Sequence, residues 1–253
     1  MSLGEKGGGA DSKEAFVYGH HGTELEQTEQ PLPPALERRR EEVQRFKETC
    51  HEAFCELLDK ISIAMKLPVK FFAEAHFIGN NSLSFINYPP ISKEESDTAS
   101  TEGSRAGAHK DWGTITLLFQ EENGTPGLEI FLPDADVVAA QSDKPYVLTK
   151  DTDLIRGRWV AAPVIAGSVL INVGLALETW TNGLYKANLH RVVFPTTAES
   201  NGFPGRRSIA FFSQPRLEVV LNPVSADGTI AETPGALTSE QFFLERMKAA
   251  AAY

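Results

Sequence analysis

The sequence predicts a closed or double-sheet β fold buttressed by helices, and three observations carry that expectation. Eight short apolar runs rich in β-branched or aromatic residues lie between residues 82 and 221, separated by Gly, Pro, Asn and Asp. One long helical periodicity precedes them, and a helix with a capping signal follows. A sheet must cover its apolar faces, so many short strands flanked by two amphipathic helices point to one β core with helices packed outside it.

Taken in order, residues 1–12 are Gly-rich and polar and are expected to be disordered. "KEAFVYG" (13–19) reads as a short ordered element and "HHGTELEQTEQPLPP" as loop, so residues 1–33 form an irregular N-terminal segment ahead of a single domain, 34–253. From Pro34 a helical pattern runs to about Met65, with Val43, Phe46, Cys50, Ala53, Leu57, Ile61 and Ala64 spaced three or four apart. Pro68 ends it, and "PVKFFAEAH" reads as a second short helix with Pro68 in its first turn. The strand candidates are "SLSFINY", "TITLLFQ", "LEIFL", "RWVAAPV", "SVLINV", "LHRVVF", "RSIAFFS" and "LEVVL", which place the β core at about 82–221. "PGALTSEQFFLERMKAAAAY" closes the chain as a helix, with Thr238 and Gln241 in a capping-box arrangement.

The formal net charge of -10 over 253 residues excludes an electrostatic nucleic-acid or anionic-membrane binder. The densest basic cluster, "LERRREEVQR", interleaves its arginines with glutamates and reads as a solvated helix face. Cys50 and Cys55 are five residues apart on one helix, so they point about 140° from each other and do not pair. Two unpaired thiols suit a reducing compartment. No segment approaches the roughly 18 apolar residues that a membrane span requires, and the expected location is the cytoplasm.

Six histidines are present. His20 and His21 fall in a polar loop, while His51 and His76 have no ligand partner at helical spacing. His109 and His190 differ, because each stands at the mouth of a β-branched run, in "AGAHKDWGTITLLF" and "YKANLHRVVF". Asp111 is two residues after His109, and an extended H-x-D points both side chains to one side. Two imidazoles and a carboxylate from separate strands make a facial triad that leaves half of an octahedral metal open, the arrangement suited to non-haem Fe(II). A histidine near a strand end is, taken alone, more often a hydrogen-bonded rim residue than a ligand. "RRSIAFF" shifts that balance. It places Arg206 and Ser208 on one strand face, and a guanidinium aimed into an apolar interior requires an anion. A dicarboxylic acid meets both demands, chelating the metal at one end and meeting Arg206 and Ser208 at the other.

With these residues in order, the sequence resembles the Fe(II)- and 2-oxoglutarate-dependent dioxygenases of the isopenicillin N synthase-like branch, and within it the thymine-dioxygenase-type enzymes. The resemblance runs through "KEAFVYG", "INYPP", "AGAHKDWGTITLLFQ", "TNGLYKANLHRVVFP", "RRSIAFF" and the C-terminal tail. It implies a double-stranded β-helix, or jelly roll, with the long helix and the C-terminal helix outside. It implies that His109, Asp111 and His190 bind iron, and that Arg206, Ser208 and Tyr88 hold 2-oxoglutarate, although Tyr88 also reads as a plain packing residue. Arg105, Trp112 and Phe212 are candidates for the substrate pocket; Phe212 reads equally as core, and Trp112 as a prop behind Asp111. The implied chemistry couples decarboxylation of 2-oxoglutarate by O2 to oxidation of a small organic substrate, with ascorbate as a reductant.

Two departures from the family pattern carry expectations of their own. The family's N-terminal region ahead of "KEAFVYG" is not in this sequence, which predicts an exposed sheet edge and self-association or a covering partner. Leu175 stands where the family carries an aspartate, and the expected consequence is local. Other readings stay open. One is an Fe(II) oxidase of the same family that needs no 2-oxoglutarate, and another is an inactive binding or interaction module. A zinc hydrolase would use the same triad, but it has no use for Arg206 and Ser208.

Overall fold

The computed structural model describes residues 13–19, 30–92, 104–122, 124–134, 156–194 and 202–251. Nine strands form two antiparallel sheets among these residues. They are β1 (Glu14–Tyr18), β2 (Ser82–Tyr88), β3 (Ser104–His109), β4 (Ile115–Gln120), β5 (Leu128–Pro133), β6 (Gly157–Ala161), β7 (Leu170–Val173), β8 (His190–Val193) and β9 (Arg206–Phe212). The first sheet runs β1-β2-β9-β4-β7 and the second β3-β8-β5-β6. Successive strands therefore cross back and forth between the sheets, which is the jelly roll that the resemblance implied.

The space between the sheets is lined by Tyr88, Ala106, Leu128 and Val192 with Ile86, Leu118, Ile130 and Leu170 around them. Strand alternation puts the opposite faces of β2, β4 and β9 outward, and their Leu83, Leu117 and Phe211 are 3% exposed or less. Helices cover that outer face: α1 (Pro34–Glu37), α2 (Arg40–Ala64), α3 (Leu175–Trp180) and α4 (Ser239–Ala251). Phe54 and Leu58 of α2, fully buried, pack with Phe72, Phe211 and Trp180 in this larger core.

Several expectations change. The helix expected over 34–65 breaks at Arg38 and Arg39, giving α1 and α2. Its buried face runs through Val43, Cys50, Phe54, Leu58 and Ser62, while Ala53 and Ala64 are exposed. Steps of four residues turn a helical face by about 40° each, and the observed stripe follows that drift. "PVKFFAEAH" is a run of turns ending in a 3-10 segment, Ala73–Ala75. "LEVVL" is no strand; it makes only an isolated bridge, Val220 to Thr238, so the β core ends at Phe212. The N-terminal segment contributes an ordered piece, since β1 pairs with β2 over its whole length. Residues 1–12 and 20–29, including His20 and His21, lie outside the described residues. The capping box on α4 is present, with Thr238 N–H donating to Gln241 Oε1 at 3.0 Å and Gln241 N–H to Thr238 Oγ1 at 3.2 Å.

Candidate active site

β3 ends and β8 begins at a shared register position, so His109 and His190 stand opposite each other with ring centroids 4.4 Å apart. Each imidazole is oriented by the carbonyl two residues earlier: His109 Nδ1 is 2.7 Å from Gly107 O and His190 Nδ1 is 3.1 Å from Asn188 O. Donation from Nδ1 leaves the Nε2 lone pairs for another partner. They face Asp111 Oδ1 at 3.8 and 3.7 Å, and one donor atom from each residue lies within 4.8 Å of the others. The second carboxylate oxygen is taken. Thr116 Oγ1–H and Asn172 Nδ2–H both donate to Asp111 Oδ2 at 2.7 Å.

Burial alone would raise the Asp111 carboxyl. The neighbouring His190 and His109 and the bonds from Asn172 and Thr116 more than offset that and hold it below the ordinary carboxylate value. Desolvation, followed by the proximity of His190, lowers His109. A carboxylate and neutral imidazoles are the forms that bind a divalent cation. The donor set fits Fe(II), and the outer edge of His109, 43% exposed, leaves one side of the triad open.

The turn between the ligands is fixed from below. Lys110 points away from both ligands and pairs with Glu178 Oε2 at 3.2 Å, the two side chains being 5% and 7% exposed. Leu175 and Ala176 N–H, at the start of α3, donate to Asp111 O and Trp112 O at 2.8 and 3.1 Å. Gly113 lets this turn press against the end of β9, because a Cβ there would sit 2.2 Å from Ser213 O. Leu175 is buried in the helix-side core, so its consequence is local packing plus this backbone support of Asp111.

Deeper between the sheets, Arg206 is 3% exposed and lies with its guanidinium carbon 5.3 Å from the Tyr88 ring centroid. It donates to Gln120 Oε1 at 3.0 Å and to Ser208 Oγ at 3.4 Å. Cross-strand register explains the cluster, since Tyr88 pairs with Arg206 and Gln120 with Ser208 on the three central strands β2, β9 and β4. Gln120 also lines an apolar cavity of about 440 Å³ beside Ile130, Leu132, Val160, Ala162 and Leu170.

His109, Asp111 and His190 thus converge, as do Arg206, Ser208 and Tyr88. Phe212 shares the inward face of β9 and pairs with Thr116, the residue that bonds Asp111. Trp112 packs against the helix-side core rather than into the space between the sheets. Arg105 is buried near Arg206 at the opposite end of β3 from His109. Thr116, Gln120 and Asn172 were missed in the sequence. Their signal was polar residues recurring at even steps inside apolar runs, "TITLLFQ" and "LINV".

The family model of the 2OG-Fe(II) oxygenase superfamily matches residues 80–215, which include the triad and the arginine–serine pair. The chain belongs to this superfamily. It is 30% identical to a UPF0676 protein of Schizosaccharomyces pombe over 198 residues, 78% of this chain and 53% of that protein. It is also 30% identical to a proline hydroxylase of Petromyces alliaceus over 181 residues, 72% of this chain and 49% of that protein. This superfamily member thus spans about half the length of the curated relatives it matches. Among solved structures, a full-length thymine-7-hydroxylase-type oxygenase of Neurospora crassa in complex with alpha-KG superposes with a TM-score of 0.75 at 26% identity, covering 97% of this chain and 67% of that one.

Proposed function

We propose that this chain is a non-haem iron oxygenase that uses 2-oxoglutarate to oxidise a C–H bond of a small organic molecule. The observation that carries the reading is the convergence of His109, Asp111 and His190 within 4.8 Å, with the buried Arg206 guanidinium on the same interior. In this reading the three converging side chains hold iron, and Arg206, Ser208 and Tyr88 receive the distal carboxylate of 2-oxoglutarate. Iron bound there supplies the activation of O2 and the conversion of 2-oxoglutarate to succinate and CO2.

The chain's own contributions are positional and electrostatic. Thr116 and Asn172 hold the Asp111 carboxylate so that Oδ1 alone points to the ion. Gly107 O and Asn188 O select the imidazole tautomer that presents Nε2. Arg206 gives the cosubstrate a buried, planar cation, and the apolar walls around it keep water from the reacting groups. Arg206 and Ser208 favour this reading over an oxidase that needs no 2-oxoglutarate.

The setting we propose is the reducing cytoplasm, in keeping with the free thiols Cys50 and Cys55. Exposed Val160, Val169 and Ile171 on or beside the edge strands β6 and β7 support self-association or a covering partner, which light scattering in solution measures. Among the described residues no helix is long and apolar enough to cross a membrane.

The test is an anaerobic titration of the purified protein with Fe(II) and then 2-oxoglutarate, followed by the weak visible charge-transfer band of the chelate. The band is expected in the wild type and absent from His109→Ala and Asp111→Ala. A wild-type protein that binds iron without developing the band, or that releases no succinate in air, overturns the proposal.

A further inference from the structure

Arg105 is the largest fully buried side chain of the described residues, 1% exposed. Its Nη2 donates to Pro204 O at 2.5 Å, and its guanidinium carbon lies 5.2 Å from the Phe194 ring centroid. Among the described residues, Nε and Nη1, which carry three of the five guanidinium N–H groups, are buried with no hydrogen-bond partner. Among the described residues no carboxylate pairs with it. A buried cation in that state costs several kcal/mol unless something else meets it.

The backbone aims Arg105 inward. β3 pairs with β8 in broken register, with shifts between Ser104 and Ala106 and again between Ala106 and His109. Such irregularities re-aim side chains, which is why the consecutive residues Arg105 and Ala106 are both buried where a regular strand would alternate. Arg105 thus lies buried next to Ala106, which shares a cluster with Tyr88 of the first sheet; burial and then the Arg206 guanidinium disfavour its charged form, while Tyr88 favours it.

Two guanidiniums share one interior, and the cosubstrate brings a single distal carboxylate. With neutral imidazoles, the charges of Asp111, a divalent iron, dianionic 2-oxoglutarate and Arg206 cancel. Among the described residues Arg105 is then left as one uncompensated positive charge. The wall beside it is aromatic: Phe194 stacks on Phe203 with centroids 5.2 Å apart. We propose that Arg105 recognises a carboxylate on the organic substrate, so that the substrate class is a carboxylic acid with an apolar or aromatic body rather than a neutral base. This rests on the iron and 2-oxoglutarate reading above and names the class of its substrate.

The probes are phenylacetate, cinnamate and octanoate, each beside its methyl ester and its amide. They are added to the wild-type protein loaded anaerobically with Fe(II) and 2-oxoglutarate. Two readouts are taken: the thermal unfolding midpoint of the anaerobic complex, and succinate release in air. At least one acid is expected to raise the midpoint and accelerate succinate release, with its ester and amide inert. In Arg105→Gln the acid response should weaken roughly 10- to 100-fold, the effect of losing a hydrogen bond to a charged group, while the 2-oxoglutarate titration stays within about two-fold of wild type. Should Arg105→Gln fail to fold, Arg105→Lys carries the test. It keeps the charge but loses the planar fork, and should bind the acid more weakly at an unchanged 2-oxoglutarate midpoint.

The proposal is overturned if no acid acts, if acids and esters act alike, or if the acid response persists in the Arg105 variants. It is also overturned if those variants raise the 2-oxoglutarate requirement as Arg206→Leu does, since Arg105 would then serve the cosubstrate. Failure of the charge-transfer band in the wild type would instead sink the oxygenase reading itself.

Discussion

Lys110 Nζ lies 3.2 Å from Glu178 Oε2, a buried ion pair set directly behind the backbone that joins His109 to Asp111. Glu178 Oε2 also accepts the Ala187 N–H at 2.8 Å, so one carboxylate ties the H-x-D turn to α3 and to the chain leading into β8. Desolvation lowers the Lys110 pKa, and Glu178 opposes that shift by favouring the ammonium. Glu178→Gln removes the anion of this buried ion pair, and the expected loss is about 3–5 kcal/mol of stability. Denaturant unfolding measures it, and the charge-transfer titration should show weakened iron binding in the same variant.

Asn172 and Thr116 restrain Asp111 through Oδ2, leaving Oδ1 to face the two imidazoles. Asn172→Ala should lower iron affinity roughly 10- to 100-fold, the usual cost of losing a group that orients a ligand. Thr116→Val should act in the same direction. Competition with a calibrated chelator reads the affinity, and unchanged affinity in both variants would remove these residues from the site.

Arg206→Leu should act with opposite signs on two properties. Loss of the guanidinium is expected to raise the 2-oxoglutarate requirement by a hundred-fold or more, about 3 kcal/mol. Without cosubstrate, the same change removes a buried charge that, among the described residues, donates to the neutral groups Gln120 and Ser208. The unliganded variant should therefore melt no lower than wild type, and scanning calorimetry with and without 2-oxoglutarate separates the effects.

His76 makes the protein acid-sensitive away from the site. Burial pushes its pKa down to about 3 from 6.5. Its ring lies 2.7 Å from Phe72 O and 2.8 Å from Thr114 Oγ1. At neutral pH the folded and unfolded chains both hold it neutral, so it contributes no pH dependence there. As pH falls from 6.5 toward 3, the unfolded chain takes up a proton that the folded chain refuses, and stability drops by about 1.4 kcal/mol per pH unit. In His76→Asn the dependence of unfolding free energy on pH should be shallower by that slope between pH 6 and 4.

Gly113→Ala should fail to assemble the site. The added carbon would meet the Ser213 backbone oxygen at 2.2 Å, and no side-chain rotation relieves a backbone contact. The expected outcome is insoluble protein, or folded protein without iron binding; a soluble variant with wild-type iron affinity would contradict the packing.

Sequence patterns announced most of this architecture, and the exceptions have physical causes. "SLSFINY" and "RRSIAFF" have strand composition, so both strands and the shared face of Arg206 and Ser208 were legible, whereas their pairing with each other was not. β3, "SRAGAH", was not, because its Gly and Ala residues have weak strand preference and its register is broken. "LEVVL" has strand composition, but it meets only the few residues before α4. The triad was readable because its residue types are restricted by metal chemistry. The Lys110–Glu178 pair, 68 residues apart, and the donation from Asn172, 61 residues after Asp111, are set by tertiary packing and leave no local pattern.

The two histidines belong to the second sheet, whereas the groups that restrain Asp111 come from β4 and β7 of the first. An ion bonded to all three therefore acts as a rivet through the sandwich. Its removal should let the two layers part at this rim, exposing backbone amides of β3 and β8 to solvent exchange ahead of the rest of the barrel.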